Sequence, residues 1–393
     1  MRVPSPRRRS KNSNTAITVQ RVYDGDIYAR VNTIGTDGVR PFVLVPGIGV
    51  SSAYFERLAP RLNEFGPVHA LDLPGFGGVP HPDSAMTIRQ YADLLGKVID
   101  DLELEDPIVV GHSMGTQVVA DLASRRPELS TIVLIGPVVN PNERKVVTQA
   151  RRFLQASWHE PLSVKVIAIG AYLFCGVKWF SRILPEMMHY RVEDALPKIQ
   201  AHALIIRGEY DAVAPRDWVR TMGDLLPSAR LWEIPGAAHS VMHKQAEEVA
   251  RLCVEHARES AGEPLPESTT AAAAVAPDET DSSGSVPLRI AEDVERADAA
   301  PPDPADVIAG IRGRLVEAVG VIRDDDELVE RGKTEHAEAL HKIENPDGSE
   351  SANVAGGAQD VAGAHDAAEA RDAAKADTDT DTEPDTGGEG HRG

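Results

Sequence analysis

The stretch Pro107–Arg126, PIVVGHSMGTQVVADLASRR, sets a short apolar run, a glycine-flanked turn and a helical run in immediate succession. Pro107–Val110 is short and β-branched, which predicts a fully buried strand. Met114–Arg126 carries helical spacing, so Gly111–Gly115, GHSMG, falls on a strand-to-helix turn. At such a turn the Ser113 hydroxyl is held out by strained backbone angles, while Gly111 and Gly115 let neighbouring segments approach. Ser113 also stands at the helix N-terminus, beside the positive end of the dipole, where developing negative charge is stabilised. The pattern G-x-S-x-G is common by chance; the strand before it and the helix after it give it meaning.

Working outward, the same rhythm repeats. Upstream, ITVQRVY and IYARVN flank Asp24, Gly25 and Asp26, a hairpin signal because Asp-Gly accepts the positive φ of a tight turn. PFVLVPG at Pro41–Gly47 reads as a buried strand, Ser51–Phe65 as a helix, Val68–Leu73 as a strand and Thr87–Leu102 as a helix. Downstream come the strands Thr131–Gly136, Ala203–Gly208 and Arg230–Gly236, then a helix from Ser240 to about Ser260. Strands alternating with helices predict the α/β class: a mainly parallel sheet with helices on both faces. Asn140–Gln200 interrupts the alternation as a helical, aromatic-rich insertion. Its apolar centre, Val166–Val177, is too short to span a bilayer, and reads either as a packed lid or as a peripheral membrane contact.

Charge divides the chain near residue 260. From Ala261 to Gly393 there are 11 basic and 32 acidic residues and no aromatic ones; the first 260 residues hold 30 basic and 29 acidic residues and all 18 aromatics. The formal charge of −20 therefore belongs to the tail, and residues 15–260 are the folded domain. Residues 1–14 read as a flexible basic arm; the run at Arg7, Arg8 and Arg9 is followed by no apolar stretch, so no export signal is expected. Nucleic-acid binding is not suggested. Two cysteines, Cys175 and Cys253, form neither a CxxC pair nor a disulfide framework, which points to a reducing, cytoplasmic compartment and to buried thiols rather than a structural zinc site.

An aliphatic hydroxyl is a poor nucleophile near neutral pH, so Ser113 needs a base and the base an orienting acid. Asp211 follows the strand LIIRG in the loop EYDAVAP, and His239 follows LWEIP and the small loop GAA. Both fall at carboxyl ends of strands, where open α/β sheets place their ligands. The order Ser113, Asp211, His239 is the nucleophile, acid, histidine order of this architecture. His112 sits next to the nucleophile, but adjacent residues on a sharp turn point apart. His243 reads as a solvated helix residue, since no HExxH-type carboxylate accompanies it, and no metal or cofactor is expected. Asp72 reads as structural, at the end of its strand.

With GHSMG, LVPGIG at Leu44–Gly49 and DLPGFGG at Asp72–Gly78, residues Val19 to about Ser260 resemble the α/β-hydrolase superfamily. The resemblance implies an oxyanion hole from the backbone N–H groups of Ile48 and Met114. Pro46 departs from the family's usual His before the glycine, which keeps the Ile48 donor but removes a side chain that often braces the loop. It implies hydrolysis of an ester or related acyl bond, and the aromatic insertion suggests a small hydrophobic acyl substrate. The same triad serves C–C bond hydrolases acting on dienone acids and cofactor-free haloperoxidase-like proteins, and a non-catalytic interaction protein is the rival class.

In the tail, residues 261–306 read as a disordered linker and 346–393 as a disordered acidic segment with an unknown protein partner. Between them, residues 307–345 carry helical spacing. Through GRLVEAVG, DDDEL and ERGKTEHA this segment resembles the CsbD-like stress-response family, which implies a stress context rather than a reaction.

Overall fold

The Asp-Gly-Asp turn closes a hairpin between β1 (Ile17–Asp24) and β2 (Ile27–Ile34), with Asp24 paired to Ile27, in a computed structural model of the chain. The structure describes residues 17–160, 175–262 and 286–291, with 327, 331, 334, 335 and 338 as isolated positions. The chain divides into a unit Met1–Glu344 and a second unit Asn345–Gly393, the latter wholly outside the described residues. Also outside them lie the basic arm, most of the CsbD-like segment and 161–174, which includes most of the insertion's apolar centre.

Strands β3 (Phe42–Val45), β4 (Val68–Asp72), β5 (Ile108–His112), β6 (Thr131–Ile135), β7 (His202–Gly208) and β8 (Ala229–Ile234) join the hairpin in one sheet. A ninth strand, β9 (Leu288–Ile290), completes the order β1-β2-β4-β3-β5-β6-β7-β8-β9. Among the described residues only the β1–β2 and β2–β4 pairs are antiparallel. The short apolar strands are buried on both faces because successive side chains alternate. Val43, Val45, Val109, Ile132 and Leu134 point into one core layer; Phe42, Leu44, Ile108, Val110, Val133 and Ile135 point into the other.

Helices cover both layers. Helix α1 is Leu58–Leu62, α2 Ile88–Asp101 and α3 Met114–Ala123. A capping box starts α2: Thr87 Oγ1 accepts from the Gln90 N–H at 3.2 Å, and Gln90 Oε1 accepts from the Thr87 N–H at 2.9 Å. The insertion contributes α4 (Val146–Ser157), α5 (Val177–His189) and α6 (Val192–Ala195). Its described part is packed down: Trp179, Ile183, Met187 and Met188 join the same core layer as α2 and α3. Gln117 Nε2 donates to the Met187 carbonyl at 3.0 Å, and the Tyr190 hydroxyl donates to Asp121 Oδ1 at 3.0 Å. Val147 and Leu154 on α4, and Trp158 just past its end, remain exposed. Helices α7 (Arg216–Leu225), α8 (Val241–Lys244) and α9 (Ala246–Ser260) complete the domain. Among the described residues no helix is long and apolar enough to cross a membrane.

The secondary structure differs from the sequence reading at three places. Ser51–Phe65 is not one helix but a 3-10 turn, Ser52–Phe55, followed by α1; Pro60 has no N–H for the Glu56 carbonyl, and its ring crowds that carbonyl, which prevents one continuous helix. The terminal helix is broken at Gln245, whose φ of −113° and ψ of 41° separate α8 from α9. Within the expected linker, Leu288–Ile290 forms β9 against β8, and the next residue, Ala291, donates its N–H to the Glu233 carbonyl at 2.9 Å. The short apolar run in an otherwise polar tail covers an edge that would expose unpaired backbone groups.

Candidate active site

Strand β5 ends at His112 and α3 begins at Met114, so Ser113 alone makes the turn, at φ 53° and ψ −119°. A non-glycine residue held in such a region costs about 1–3 kcal/mol, and persists only where its surroundings fix it. Here the Ser113 N–H donates to the Ile135 carbonyl at 3.0 Å, and the Ser113 carbonyl accepts from the Thr116 N–H at 3.0 Å and from Thr116 Oγ1 at 2.6 Å. Thr116 thus braces the turn. The flanking glycines are required sterically: a Cβ on Gly115 would lie 2.2 Å from the Val45 carbonyl oxygen, and one on Gly111 would lie 2.4 Å from that of Gly115.

The loop after β3 passes against the serine, since a Cβ on Gly47 would lie 3.5 Å from Ser113 Oγ. Ile48 is next in that loop. Met114 is the first residue of α3, and its N–H is one of the helix donors without an intrahelical carbonyl. The structure therefore sets Gly47, the residue before Ile48, against Ser113, with Met114 next to the serine in the chain.

Asp211 and His239 come together from the ends of β7 and β8, and the His239 ring centroid lies 4.9 Å from that of His112, the residue before Ser113. Their loops are stitched together: the Tyr210 N–H donates to the Ala237 carbonyl at 2.8 Å, and the Gly236 N–H to Glu209 Oε2 at 2.9 Å. His239 Nδ1 lies 2.9 Å from Asp211 Oδ2, and both residues are buried. Asp211 Oδ1 accepts from the N–H groups of Val213 at 2.9 Å and Ala214 at 3.1 Å. Burial pushes the Asp211 carboxyl up, but the His239 ring, the Ala214 N–H and the Arg207 charge outweigh it and hold the pKa below the ordinary carboxylate value. For His239, burial pushes down, while the Asp211 carboxylate and the Glu160 charge raise its pKa above the ordinary imidazole value. With Nδ1 committed to Asp211, Nε2 is the nitrogen left for a hydroxyl.

His112 takes no such part. Its Nε2 donates to the His239 carbonyl at 3.1 Å, and burial, with the His239 charge, pushes its pKa down to about 3. His243 is not solvated: it is buried, with Nε2 3.4 Å from Glu56 Oε1, because α8 buries Val241, Met242 and His243 in succession instead of presenting one wet helical face. Asp72 accepts from Arg30 Nε at 2.8 Å, Asn32 Nδ2 at 2.9 Å and the Ser52 N–H at 2.6 Å, tying β2 and β4 to the segment that follows the Gly47 loop. Among the described residues, no group of three His, Cys, Asp or Glu side chains is placed to hold a metal ion.

Two supporting residues escaped the sequence reading. Arg207, buried in β7, donates to the carbonyls of Glu209 at 3.1 Å, Asp211 at 3.2 Å and Ala214 at 2.9 Å, and pairs with buried Glu233 on β8. Opposite charges inside two adjacent apolar strands, ALIIRG and RLWEIP, were the available signal. Glu160, just past α4, accepts from the Ser240 N–H at 2.6 Å; it is 79 residues from His239, and nothing in the sequence links the two.

The profile of the alpha/beta hydrolase family matches residues 42–252, more than half of the chain. The chain is 26% identical over 242 residues to the pimeloyl-[acyl-carrier protein] methyl ester esterase of Neisseria meningitidis, a match covering 55% of this chain and 76% of that protein. It is 32% identical over 165 residues to the abhydrolase domain-containing protein abhd-5.2 of Caenorhabditis elegans, covering 39% of this chain and 36% of that protein, so it spans only about a third of that relative's length. Among solved structures, a membrane phospholipase A described as a bacterial virulence factor superposes with a TM-score of 0.54 at 21% identity, over 62% of this chain and 86% of that one. Sheet order, turn geometry and family match agree, and the chain belongs to the alpha/beta hydrolase family.

Proposed function

We propose that the chain is a serine hydrolase that cleaves an ester or related acyl bond of a small hydrophobic substrate through an acyl-enzyme. The observation that carries this reading is the buried 2.9 Å contact between His239 Nδ1 and Asp211 Oδ2, in a chain whose strand-to-helix turn holds Ser113 at φ 53°. Ser113 Oγ attacks the acyl carbon as His239 Nε2 takes its proton. Asp211 orients the ring and stabilises the imidazolium. The backbone N–H groups of Ile48 and Met114 hold the charge that develops on the carbonyl oxygen. His239 then returns the proton to the leaving group, the acyl chain stays on Ser113, and a water deprotonated by His239 releases it.

The relationship to the pimeloyl-[acyl-carrier protein] methyl ester esterase favours an acyl ester among the bonds such a triad can break. The aromatic-rich insertion at residues 140–200 favours a hydrophobic acyl group. A panel of p-nitrophenyl esters, thioesters and dienone acids tests this. Activity should rise from acetate to medium-chain esters, by roughly fourfold per added CH₂ at about 0.8 kcal/mol each, until the pocket fills. Turnover of a dienone acid with none of any ester would move the assignment to C–C bond hydrolysis.

A further inference from the structure

The end of α4 is docked on both loops that carry the histidine and the acid. The His159 ring stacks on Tyr210, beside Asp211, with centroids 4.3 Å apart and planes 18° from parallel. One residue on, Glu160 Oε1 accepts from the Ser240 N–H at 2.6 Å, immediately after His239. Two consecutive residues of the insertion thus grip two loops that start from different strands.

We propose that Glu160 is a positioning residue for His239: through the Ser240 N–H it fixes the histidine loop, and through its charge it supports the imidazolium that forms when Ser113 gives up its proton. The inference rests on the hydrolase reading for its consequence in catalysis, but not for the contact itself. A carboxylate near a buried imidazolium acts through little intervening water, so its effect is larger than at a surface. Ser240 is further held by the Tyr54 hydroxyl, which bonds to Ser240 Oγ. The loop is thereby gripped from the insertion on one side and from the segment after β3 on the other.

The other titratable groups around His239 do not duplicate this role. Asp211 faces Nδ1 from the acid loop. Arg207 acts on Asp211 from beneath that loop. His112, whose ring centroid lies 4.9 Å from that of His239, has its pKa pushed down to about 3 and stays neutral over the working range. His159 is engaged with Tyr210. Burial pushes the Glu160 carboxyl above its ordinary value, with the Ser240 N–H and His239 pulling the other way. His239 is in turn raised in part by Glu160.

Glu160→Gln in the full chain separates charge from tether, because the amide oxygen still accepts from the Ser240 N–H. An NMR titration of the His239 ring should show its midpoint at lower pH in Glu160→Gln than in the wild type. With a fluorophosphonate probe, the acid limb of the labelling profile should move to lower pH in step, so that on the limb this variant labels faster than the wild type. Glu160→Ala, which also removes the tether, should label more slowly than Glu160→Gln on the plateau. A His239 midpoint unchanged in Glu160→Gln overturns the inference. If the wild type is not labelled at all, the hydrolase reading fails, while the ring titration still decides whether Glu160 acts on His239.

Discussion

Arg207 Nη2 lies 3.2 Å from the main-chain carbonyl oxygen of Asp211 and donates to it from inside the sheet, so the loop that presents the acid is pinned by a charge that cannot leave. Arg207 is only 3% exposed and its countercharge, Glu233, 2%. Glu233 also accepts from Arg216 Nε at 2.6 Å, which places one carboxylate between a buried and a half-exposed cation.

Removing one partner of a buried pair leaves an uncompensated charge, which costs about 3–5 kcal/mol. Glu233→Ala should therefore lower stability by that order in urea denaturation. Replacing both residues by methionine should recover much of the loss, since well-packed apolar groups often match a buried ion pair. The double variant should remain impaired in activity, because nothing then ties the carbonyls of Glu209, Asp211 and Ala214 together. A Glu233→Ala protein as stable as the wild type would contradict this account of the acid loop.

The pH dependence follows from His239. A base works only when unprotonated, so activity should be present above its pKa and be lost as pH falls through it. The raised value sets this acid limb above that of a free imidazole. Asp211→Asn removes the main raising charge, so the limb should move to lower pH while the plateau falls by about 10⁴-fold, through loss of the correct tautomer. Profiles of kcat/KM for both proteins check the sign. A limb that stays in place would mean that Asp211 does not act on His239.

Much of this arrangement was legible because local chemistry dictates it. The turn at Ser113 is written in GHSMG between an apolar strand and a helix, and Asp211 and His239 are each marked by a strand that ends just before them. What escaped was set by contacts distant in sequence. His243 is on a short helix that buries three successive side chains, which helical periodicity does not foresee. Glu160 reaches Ser240 from a separate element, and the pairing of Arg207 with Glu233 depends on the register that sets Arg207 opposite Glu233 in β7 and β8. Strand β9 was hidden by its surroundings: three residues of strand in an acidic, alanine-rich tail carry too little pattern to stand out.

Strand β9 bears on how much of the tail the domain needs. It covers the outer edge of β8, with Arg289 over the Trp232 ring at 5.9 Å to the centroid and Ala291 buried. A chain ending at Gly262 keeps Ser113, Asp211 and His239 but exposes that edge. It should still hydrolyse esters and should unfold more readily by about 1–3 kcal/mol, the net worth of a few backbone hydrogen bonds. A chain ending at Ala291 should match the full-length protein. Equal urea midpoints for the two truncations would show that β9 contributes nothing to stability.

An activated nucleophile at Ser113 can be captured covalently. A fluorophosphonate probe reacts with a hydroxyl whose proton a neighbouring base removes, and an ordinary turn serine does not react. The wild-type chain should take up one equivalent of probe, with the adduct on the peptide containing Ser113. Ser113→Ala should take up none, and His239→Ala should label far more slowly. Labelling of Ser113→Ala equal to that of the wild type, or a wild-type chain that stays unlabelled while an authentic serine hydrolase reacts beside it, would contradict the account.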